Sequence, residues 1–303
     1  MKKMNIVFMG TPDYAASILE AIIKHHNLIA LVCQPDKKAG RNHQIKMPKT
    51  KELLLSKGLQ VPIFQPETLD NAFVKQLKSL SFDKIIVAAY GKILPKSILQ
   101  LAPCVNLHAS ILPKYRGASP IQESILKAED YFGITAMKME EGLDNGDILG
   151  FKAIRNVGQN ANELFLELSE AAAELTLDYL EREKEIVGFS QTHCDKILCK
   201  KIKKDFGLVA FCNAREIVRK ALAYEGWPEI FLKNGVKLKG VFLHSNEGTY
   251  QQGEILVIYK EKVLVGCLKG SIWIHSLQAP SKKSISAYEY LCGKRLKVGD
   301  ILC

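Results

Sequence analysis

The chain has 303 residues, a length that predicts two domains, or one large α/β unit with an appendage, rather than one small core. Apolar residues make up 47% and charged residues 24%, which is typical of a soluble globular protein and excludes a disordered or fibrous one. No apolar run approaches the roughly 20 residues that span a bilayer, and the opening "MKKMNIVFMGTPD" reaches Gly and Pro too early for a signal peptide. We therefore expect a cytoplasmic protein with no membrane partner.

The net charge of +10 is distributed unevenly. Residues 1–189 hold 23 Lys and Arg against 22 Asp and Glu, whereas residues 190–303 hold 19 against 10, a net charge of +9. Clustered Lys and Arg bind polyanions by displacing phosphate counterions, although a solvated lysine-rich surface would have the same charge. The eight cysteines are scattered without a CxxC pair, so we expect free thiols and no metal site.

The first half of the sequence alternates between strand and helix patterns. "MNIVFMG" is a short apolar strand ended by Gly10, and "PDYAASILEAIIKHH" then has apolar residues at helical spacing. Further strand candidates are "LIALVCQ", "VPIFQP", "DKIIVAAYG", "CVNLHASIL" and "GITAMKME", with helical stretches such as "TKELLLSKG" and "NAFVKQLKSL" between them. The alternation predicts an α/β domain with a doubly wound, mainly parallel sheet, whose ligands bind at the carboxyl ends of its strands.

The second half has a different pattern. The helix "NANELFLELSEAAAELTLDYLEREKE" closes the first domain near residue 186, and a lysine-rich segment with little periodicity follows it. One further helix, "NAREIVRKALAYEG", precedes a strand-rich region. We predict an N-terminal domain over residues 1–189, a linker over 190–205 and a smaller β-barrel-like, OB-like domain over 206–303. Barrels of this type often bind oligonucleotides.

A row of polar residues lies inside the apolar segment "VNLHASILPKYRGASP". Because side chains alternate along a strand, Asn106, His108 and Ser110 should share one face, at the carboxyl end of a strand that Pro113 ends. Asparagine can donate to a developing oxyanion, and histidine can do the same or move a proton. The loop "EEGLDNGDIL" offers carboxylates at Asp144 and Asp147, and an aspartate beside the histidine would orient it. This set of residues indicates acyl transfer.

Other catalytic classes lack their motifs. Gly10 is followed by Thr and Pro, so the first strand has no GxGxxG turn, and no GxxxxGK[ST] loop is present. Ser110 lies on the histidine's own strand without a GxSxG elbow, which argues against a serine hydrolase. A nicotinamide dehydrogenase and a P-loop enzyme are also disfavoured.

Several segments of the chain resemble the successive signatures of the methionyl-tRNA formyltransferase family. They are "GTPDYAA", "QPDKKAGR", "VAAYGKILP", "NLHASILPKYRGASPIQ", "GLDNGDIL" and the tail "LQAPSKKSISAYEYLCGKRLKVGDIL". The resemblance spans nearly the whole chain. It implies formyl transfer from 10-formyltetrahydrofolate, without a metal, to the amino group of methionine on initiator methionyl-tRNA.

The resemblance also implies roles for individual residues. The catalytic positions of the family fall on Asn106, His108 and Asp144. The folate-binding segments correspond to Ser110, Ile111, Leu112 and Pro113, and to Ala88, Ala89, Tyr90 and Gly91. The tRNA-binding positions fall on Lys37, Lys38, Arg41 and Lys46 in a basic loop, and on Lys200 and Lys201 in the linker. The linker lacks the family's usual tyrosine-alanine pair before Lys200. Separately, we expect the protein to be a monomer.

Alternatives remain open at this point. A formyltransferase acting on a small amine, such as a nucleotide sugar or glycinamide ribonucleotide, would use the same three catalytic residues but would not need the basic second half. A noncatalytic RNA-binding protein would not need the polar row, and a hydrolase of the folate donor would leave the basic module without a role.

Overall fold

The structure is a computed structural model that describes residues 3–39, 44–192, 194 and 196–302. The chain divides into two compact units. Unit 1 comprises Met1–Pro120, Tyr131–Arg155 and Phe165–Cys199, and unit 2 comprises Ile121–Asp130, Asn156–Leu164 and Lys200–Cys303. The domain boundaries suggested by the sequence, at residues 189 and 205, stay a prediction.

Strands and helices alternate through the first two thirds of the chain. The strands are β1 (Asn5–Gly10), β2 (Asn27–Val32), β3 (Lys37–Ala39), β4 (Gln44–Lys46), β5 (Ile63–Phe64), β6 (Lys84–Ala88), β7 (Cys104–His108), β8 (Arg116–Gly117), β9 (Tyr131–Lys138), β10 (Ile148–Arg155) and β11 (Leu198–Cys199). The helices are α1 (Asp13–His25), α2 (Lys49–Ser56), α3 (Asn71–Lys78), α4 (Lys96–Leu99), α5 (Pro120–Leu126) and α6 (Ala161–Arg182).

Unit 1 is organised around a seven-stranded sheet with the order β10-β9-β7-β6-β1-β2-β5. The strands β5, β2, β1, β6 and β7 are parallel, and β9 runs antiparallel to both of its neighbours. Two smaller ladders join β3 to β4 and β8 to β11. The mainly parallel sheet predicted from the sequence is confirmed.

The central strands are apolar because helices and loops cover both of their faces. All residues from Ile6 to Met9 in β1 have no exposed surface, and neither do Ile85 and Ile86 in β6. Helix α1 contributes one apolar side, with Ile18 and Ile22 fully buried. This packing fixes the strand ends, where the candidate site lies.

Gly10 lets two strand ends come together. A Cβ atom at this position would lie 2.7 Å from the Cβ of Ala15 and 2.8 Å from the carbonyl oxygen of Ala88. Only glycine fits without a shift, and Thr50 donates a hydrogen bond of 2.9 Å to the Gly10 carbonyl. The carboxyl ends of β1 and β6 are therefore closely packed.

Unit 2 contains an antiparallel sheet. A 3-10 turn at Lys204–Gly207 precedes α7 (Ala214–Ala223), β12 (Lys237–Ser245), β13 (Ile255–Ile258), β14 (Val263–Gly266), β15 (Ser271–Gln278), β16 (Ile285–Ser286) and α8 (Ala287–Lys294). The strand order is β12-β15-β14-β13, with β16 also paired to β15. The predicted fold class, a parallel α/β domain followed by a smaller β domain, is confirmed. Asn213 caps α7 through the amides of Arg215 and Glu216, at 3.0 and 3.3 Å.

Some elements differ from the sequence prediction. The strand β10 was not predicted, because it lies beside β9 at the edge of the sheet and its residues are half-buried or exposed. The hairpin of β3 and β4 lies in a segment predicted to be a loop. Within the described part of the chain, no helix has both the length and the apolar character needed to cross a membrane.

Candidate active site

Two polar residues of the predicted row lie on β7, near the middle of the large sheet. Asn106 is half-buried and His108 is 6% exposed, while Val105 and Leu107 are buried on the other face of the strand. His108 is the last residue of β7 and pairs with Thr135 of β9. The strand therefore places two hydrogen-bonding side chains at its carboxyl end, as predicted.

Ser110 does not continue the row, because the strand ends at His108 rather than Leu112. The Ser110 amide donates to the His108 carbonyl at 2.9 Å, and its hydroxyl donates to the Lys114 carbonyl at 2.7 Å. Thr135 holds the same turn by donating to the Ser110 carbonyl at 2.7 Å. These bonds turn the chain away from the sheet, so the predicted strand was too long. Folate binding by Ser110 stays a prediction.

Asp144 approaches this strand from the loop between β9 and β10. Its Oδ2 atom lies 3.6 Å from Nδ1 of His108 and accepts a hydrogen bond of 2.9 Å from the Gly117 amide. Its Oδ1 atom lies 3.5 Å from the donor Nδ2 of Asn106. Asp144 has a φ of 48°, in the left-handed region, which aspartate tolerates better than most residues. The structure thus brings together the three predicted catalytic residues.

The hydrogen bonds of His108 determine which ring atoms carry protons. Its Nε2 atom lies 2.9 Å from the carbonyl oxygen of Tyr115, which can only accept, so Nε2 carries a hydrogen. Its Nδ1 atom faces the Asp144 carboxylate on the other side of the ring. The imidazole is therefore oriented from both sides.

The spacing of the three side chains leaves two donors available. The contacts from Asp144 to Asn106 and His108, at 3.5 and 3.6 Å, are longer than the usual 2.7–3.2 Å of a strong hydrogen bond. An oxygen atom that enters between them could accept from both Asn106 and His108. Such a pair of donors can stabilise the oxyanion of an acyl-transfer reaction.

Sequence reasoning missed the residues behind Asp144. Gln191 and Arg116, exposed by only 3% and 6%, hydrogen-bond to each other. Cys199 pairs with Gly117 in the ladder of β11 and β8. Gln191 and Cys199 come from the segment predicted to be a linker. That segment has no helical or strand periodicity, so the positions of Gln191 and Cys199 could not be predicted from it.

The predicted folate segment follows β6 at the same edge of the sheet. Ala88 and Tyr90 are buried, whereas Ala89 and Gly91 are exposed and have φ values of 45° and 82°. Gln34 donates a hydrogen bond of 2.9 Å to the Tyr90 carbonyl. Burial raises the pKa of the Tyr90 hydroxyl to about 12. The main chain therefore makes a sharp turn that presents two exposed residues.

The predicted basic loop forms a hairpin over part of its length. Lys37 pairs with Lys46 and Lys38 with Ile45 in the ladder of β3 and β4, and Lys37 and Lys46 are exposed. Arg41 lies outside the described residues. At the base of the hairpin, Lys51 donates to Asp36 at 2.8 Å. In the predicted linker, Lys200 and Lys201 are exposed as well.

An aromatic surface on the sheet of unit 2 was also missed. Tyr259 stacks on Trp273 at 5.7 Å between ring centroids, and the Lys262 ammonium lies 4.4 Å from the Trp273 ring centre. Phe242 is opposite Trp273 in the ladder and 56% exposed. The alternation in "SIWIHSLQ" is the signal that could have identified this face.

No group of three or more His, Cys, Asp or Glu side chains that could hold a metal ion occurs in the described residues. The chain matches the profile of the family described as "Formyl transferase" over residues 3–173, more than half of its length. The chain belongs to the formyl transferase family. The profile described as "Formyl transferase, C-terminal domain" matches residues 201–295.

Relatives of similar length share about half of the residues. The "Methionyl-tRNA formyltransferase" of a Nitratiruptor species is 50% identical over 299 residues, covering 98% of this chain and 99% of that one. The protein with the same name from Helicobacter pylori (strain ATCC 700392 / 26695) is 49% identical over 302 residues, covering 99% and 100%. These members of the family align with both units of the chain.

Solved structures with the same fold are more distant in sequence. HypX from Aquifex aeolicus, crystallised with tetrahydrofolic acid, superposes with a TM-score of 0.64 at 16% identity over 96% of this chain and 47% of that one. The N-formyltransferase from Helicobacter canadensis, crystallised with folinic acid and dTDP-3-aminofucose, has a TM-score of 0.67 at 17% identity over 91% and 100%. Similarity at this level shows a shared fold.

Proposed function

We propose that the protein transfers the formyl group of 10-formyltetrahydrofolate to the α-amino group of methionine on initiator methionyl-tRNA. The convergence of Asn106, His108 and Asp144 at the end of β7 is the observation that carries the proposal. The acceptor follows from relatives named methionyl-tRNA formyltransferase that are 48–50% identical over nearly the whole chain.

In the proposed reaction the methionine amine attacks the formyl carbon directly. The new C–N bond forms first and gives a tetrahedral intermediate, whose collapse then breaks the bond between the formyl carbon and N10 of the folate. Asn106 Nδ2 and His108 Nδ1 stabilise the negative charge that develops on the formyl oxygen. Asp144 holds His108 and helps to remove a proton from the amine, and the departing N10 gains a proton. No covalent intermediate with the enzyme is required.

The residues after β6 and β7 suit a pterin-type donor. The exposed main chain at Ala89 and Gly91 offers amide and carbonyl groups at the same edge of the sheet as Asn106. The half-buried side chains of Ile111 and Pro113 offer apolar contact surface at the turn beyond β7, whereas Leu112 is buried. Small apolar and main-chain groups of this kind are typical of sites that bind flat heterocycles.

Several surfaces support binding of a tRNA. Lys37 and Lys46 extend from the hairpin, and Lys200 and Lys201 are exposed. The net charge of +9 over residues 190–303 favours a polyanion. The exposed Phe242 and the Tyr259–Trp273 stack provide aromatic rings next to Lys262. A tRNA substrate is consistent with a cytoplasmic enzyme, and we propose that it acts as a monomer.

A competition between acceptors tests the proposal. The enzyme would be given 10-formyltetrahydrofolate with a labelled formyl group and an equimolar mixture of methionyl-initiator tRNA and an aminosugar nucleotide. We expect the label in the tRNA fraction, at a rate that falls when the methionine is removed by deacylation. Transfer to the sugar nucleotide, or formate release that does not depend on tRNA, would contradict the proposal.

A further inference from the structure

The side-chain amide of Gln191 is buried behind the candidate catalytic residues, and all of its hydrogen-bonding groups have partners. Its Nε2 atom donates to the carbonyl oxygens of Asp144 and Gly146, at 3.3 and 2.6 Å. Its Oε1 atom accepts from Nε and Nη2 of Arg116, at 3.1 and 2.8 Å. Carbonyl oxygens only accept and a guanidinium only donates, so these partners fix the orientation of the amide.

The partners of Gln191 hold Asp144 from two directions. On one side, the bond to the Asp144 carbonyl secures the main chain that carries the carboxylate. On the other side, Arg116 precedes Gly117, whose amide donates to the Asp144 carboxylate at 2.9 Å. The amide of Gln191 therefore connects both the backbone and the side-chain anchor of Asp144.

The residue that precedes β8 also holds His108. The Tyr115 carbonyl accepts from Nε2 of His108, and Tyr115 precedes Arg116 in the chain. Behind this strand, the Cys199 thiol donates to the Tyr115 carbonyl at 3.3 Å, and β11 pairs with β8. A displacement of Arg116 would thus change the positions of both His108 and Asp144.

We propose that Gln191 is a positioning residue for formyl transfer, which sets the distance between His108 and Asp144 without touching the substrates. This inference rests on the proposed function for its kinetic consequence. An amide is needed because a carboxylate could not donate to the two carbonyls, and an apolar side chain would leave Arg116 and both carbonyls without these partners. The segment predicted as a linker for tRNA contacts is in this view part of the catalytic framework.

Substitution of Gln191 should lower the rate of transfer rather than the affinity for substrates. We expect Gln191→Ala and Gln191→Glu to reduce kcat by about 10- to 100-fold and to change KM for the folate and for tRNA by less than about threefold. Gln191→Glu is nearly isosteric and keeps the acceptor for Arg116, so it guards against a variant that fails to fold. Gln100→Ala, at an exposed position of unit 1, is the matched control and should retain full activity.

A double-mutant cycle separates positioning from a general structural role. If Gln191 acts through Asp144, Gln191→Glu should reduce kcat by less than about threefold in an Asp144→Asn background. The reason is that the carboxylate which Gln191 positions has already been replaced there. A loss as large as in the wild-type background would overturn the proposal. Thermal unfolding of each variant checks that the comparison is made on folded protein.

A spectroscopic readout distinguishes this inference from the proposed function. In protein with ¹⁵N-labelled histidine and without substrates, Gln191→Glu should shift the Nδ1 signal of His108, while Gln100→Ala should leave it unchanged. Unchanged His108 signals in Gln191→Glu would overturn the positioning role even if the wild type formylates methionyl-tRNA. If the signals shift but the wild type does not formylate methionyl-tRNA, the proposed function fails and the positioning role stands.

Discussion

Oδ2 of Asp144 lies 3.6 Å from Nδ1 of His108, although the two residues belong to separate elements of the chain. Asp144 reaches this position from a loop after β9, while His108 ends β7. The Gly117 amide and the long contact to Asn106 complete the surroundings of the carboxylate. The geometry lets one carboxylate orient the imidazole while both donors remain available to an incoming oxygen.

Removal of either donor should impair catalysis without unfolding the protein. We expect Asn106→Ala and His108→Ala to reduce kcat by about 10²-fold or more, because each would remove a hydrogen bond to the developing oxyanion. The measurement is single-turnover transfer to methionyl-tRNA, with circular dichroism as the check on folding. Turnover near that of the wild type in both variants would remove these residues from the mechanism.

Gly117→Ala should damage the site through the backbone. Gly117 has a φ of 120°, and a Cβ atom there would lie 2.4 Å from the Cys199 carbonyl oxygen. We expect the free energy of unfolding to fall by about 1–3 kcal/mol or more, together with a loss of activity as the Gly117 amide moves away from Asp144.

Gly293→Ala serves as the control, and urea denaturation measures the free energy of unfolding of both variants. Gly293 lies within α8, and a Cβ atom would have no neighbour within 4 Å. Alanine there should leave stability unchanged or raise it by up to about 1 kcal/mol. Equal stabilities for Gly117→Ala and the wild type would contradict the close packing of β8 against β11.

Alkaline conditions should destabilise the fold through its buried thiols. Burial raises the pKa of Cys104 and Cys267 to about 12 and that of Cys33 to about 11. The unfolded chain loses these protons near pH 8.5, so each thiol contributes stability that is complete below that pH and is lost as the pH rises toward its folded pKa. We expect a decrease of about 1.4 kcal/mol per pH unit for each thiol.

Substitution identifies the thiol contribution to this pH dependence. Cys104→Ala should flatten the fall in the free energy of unfolding between about pH 9 and 11, as measured by urea denaturation. Replacement of the half-buried Cys194 by alanine is the control and should leave the slope unchanged. An unaltered slope in Cys104→Ala would show that this thiol is not protected in the native state.

Binding of tRNA should depend steeply on salt. Phosphate contacts make the logarithm of affinity fall linearly with the logarithm of salt concentration, with a slope of about one for each contact. Lys200→Ala and Lys201→Ala should each weaken binding and reduce the slope by about one, as measured by filter binding from about 50 to 200 mM salt. Lys75→Ala, at an exposed lysine on α3, is the control and should leave the affinity and the slope unchanged. A tRNA affinity of the wild type that does not change with salt would contradict a basic binding surface.

Much of the fold follows from local sequence patterns. The runs that became β1, β2, β6 and β9 are mostly apolar, so their burial in a mainly parallel sheet could be predicted. The edge strand β10 and the two-residue strand β11 carry no comparable pattern, because exposed edges and short ladders need little apolar sequence. Helix α8 has a capping box formed by Ser286 and Glu289 that could have marked its start.

The candidate site could be predicted only in part. Alternation along the strand and the family resemblance singled out Asn106, His108 and Asp144, which the structure brings together. The bond from Thr135 to the Ser110 turn and the bonds of the buried Gln191 join distant segments, which leave no periodic signal in the sequence. Tertiary hydrogen bonding is therefore what sequence reasoning could not supply.

The location of the formyl group in the product decides whether methionyl-tRNA is the acceptor. The enzyme would be incubated with 10-formyltetrahydrofolate carrying a ¹³C formyl group and with methionyl-initiator tRNA. The amino acid would then be released from the tRNA by mild base and analysed by mass spectrometry. We expect N-formylmethionine that contains the ¹³C label, and much less of it with Asn106→Ala. Unmodified methionine accompanied by labelled formate would contradict it.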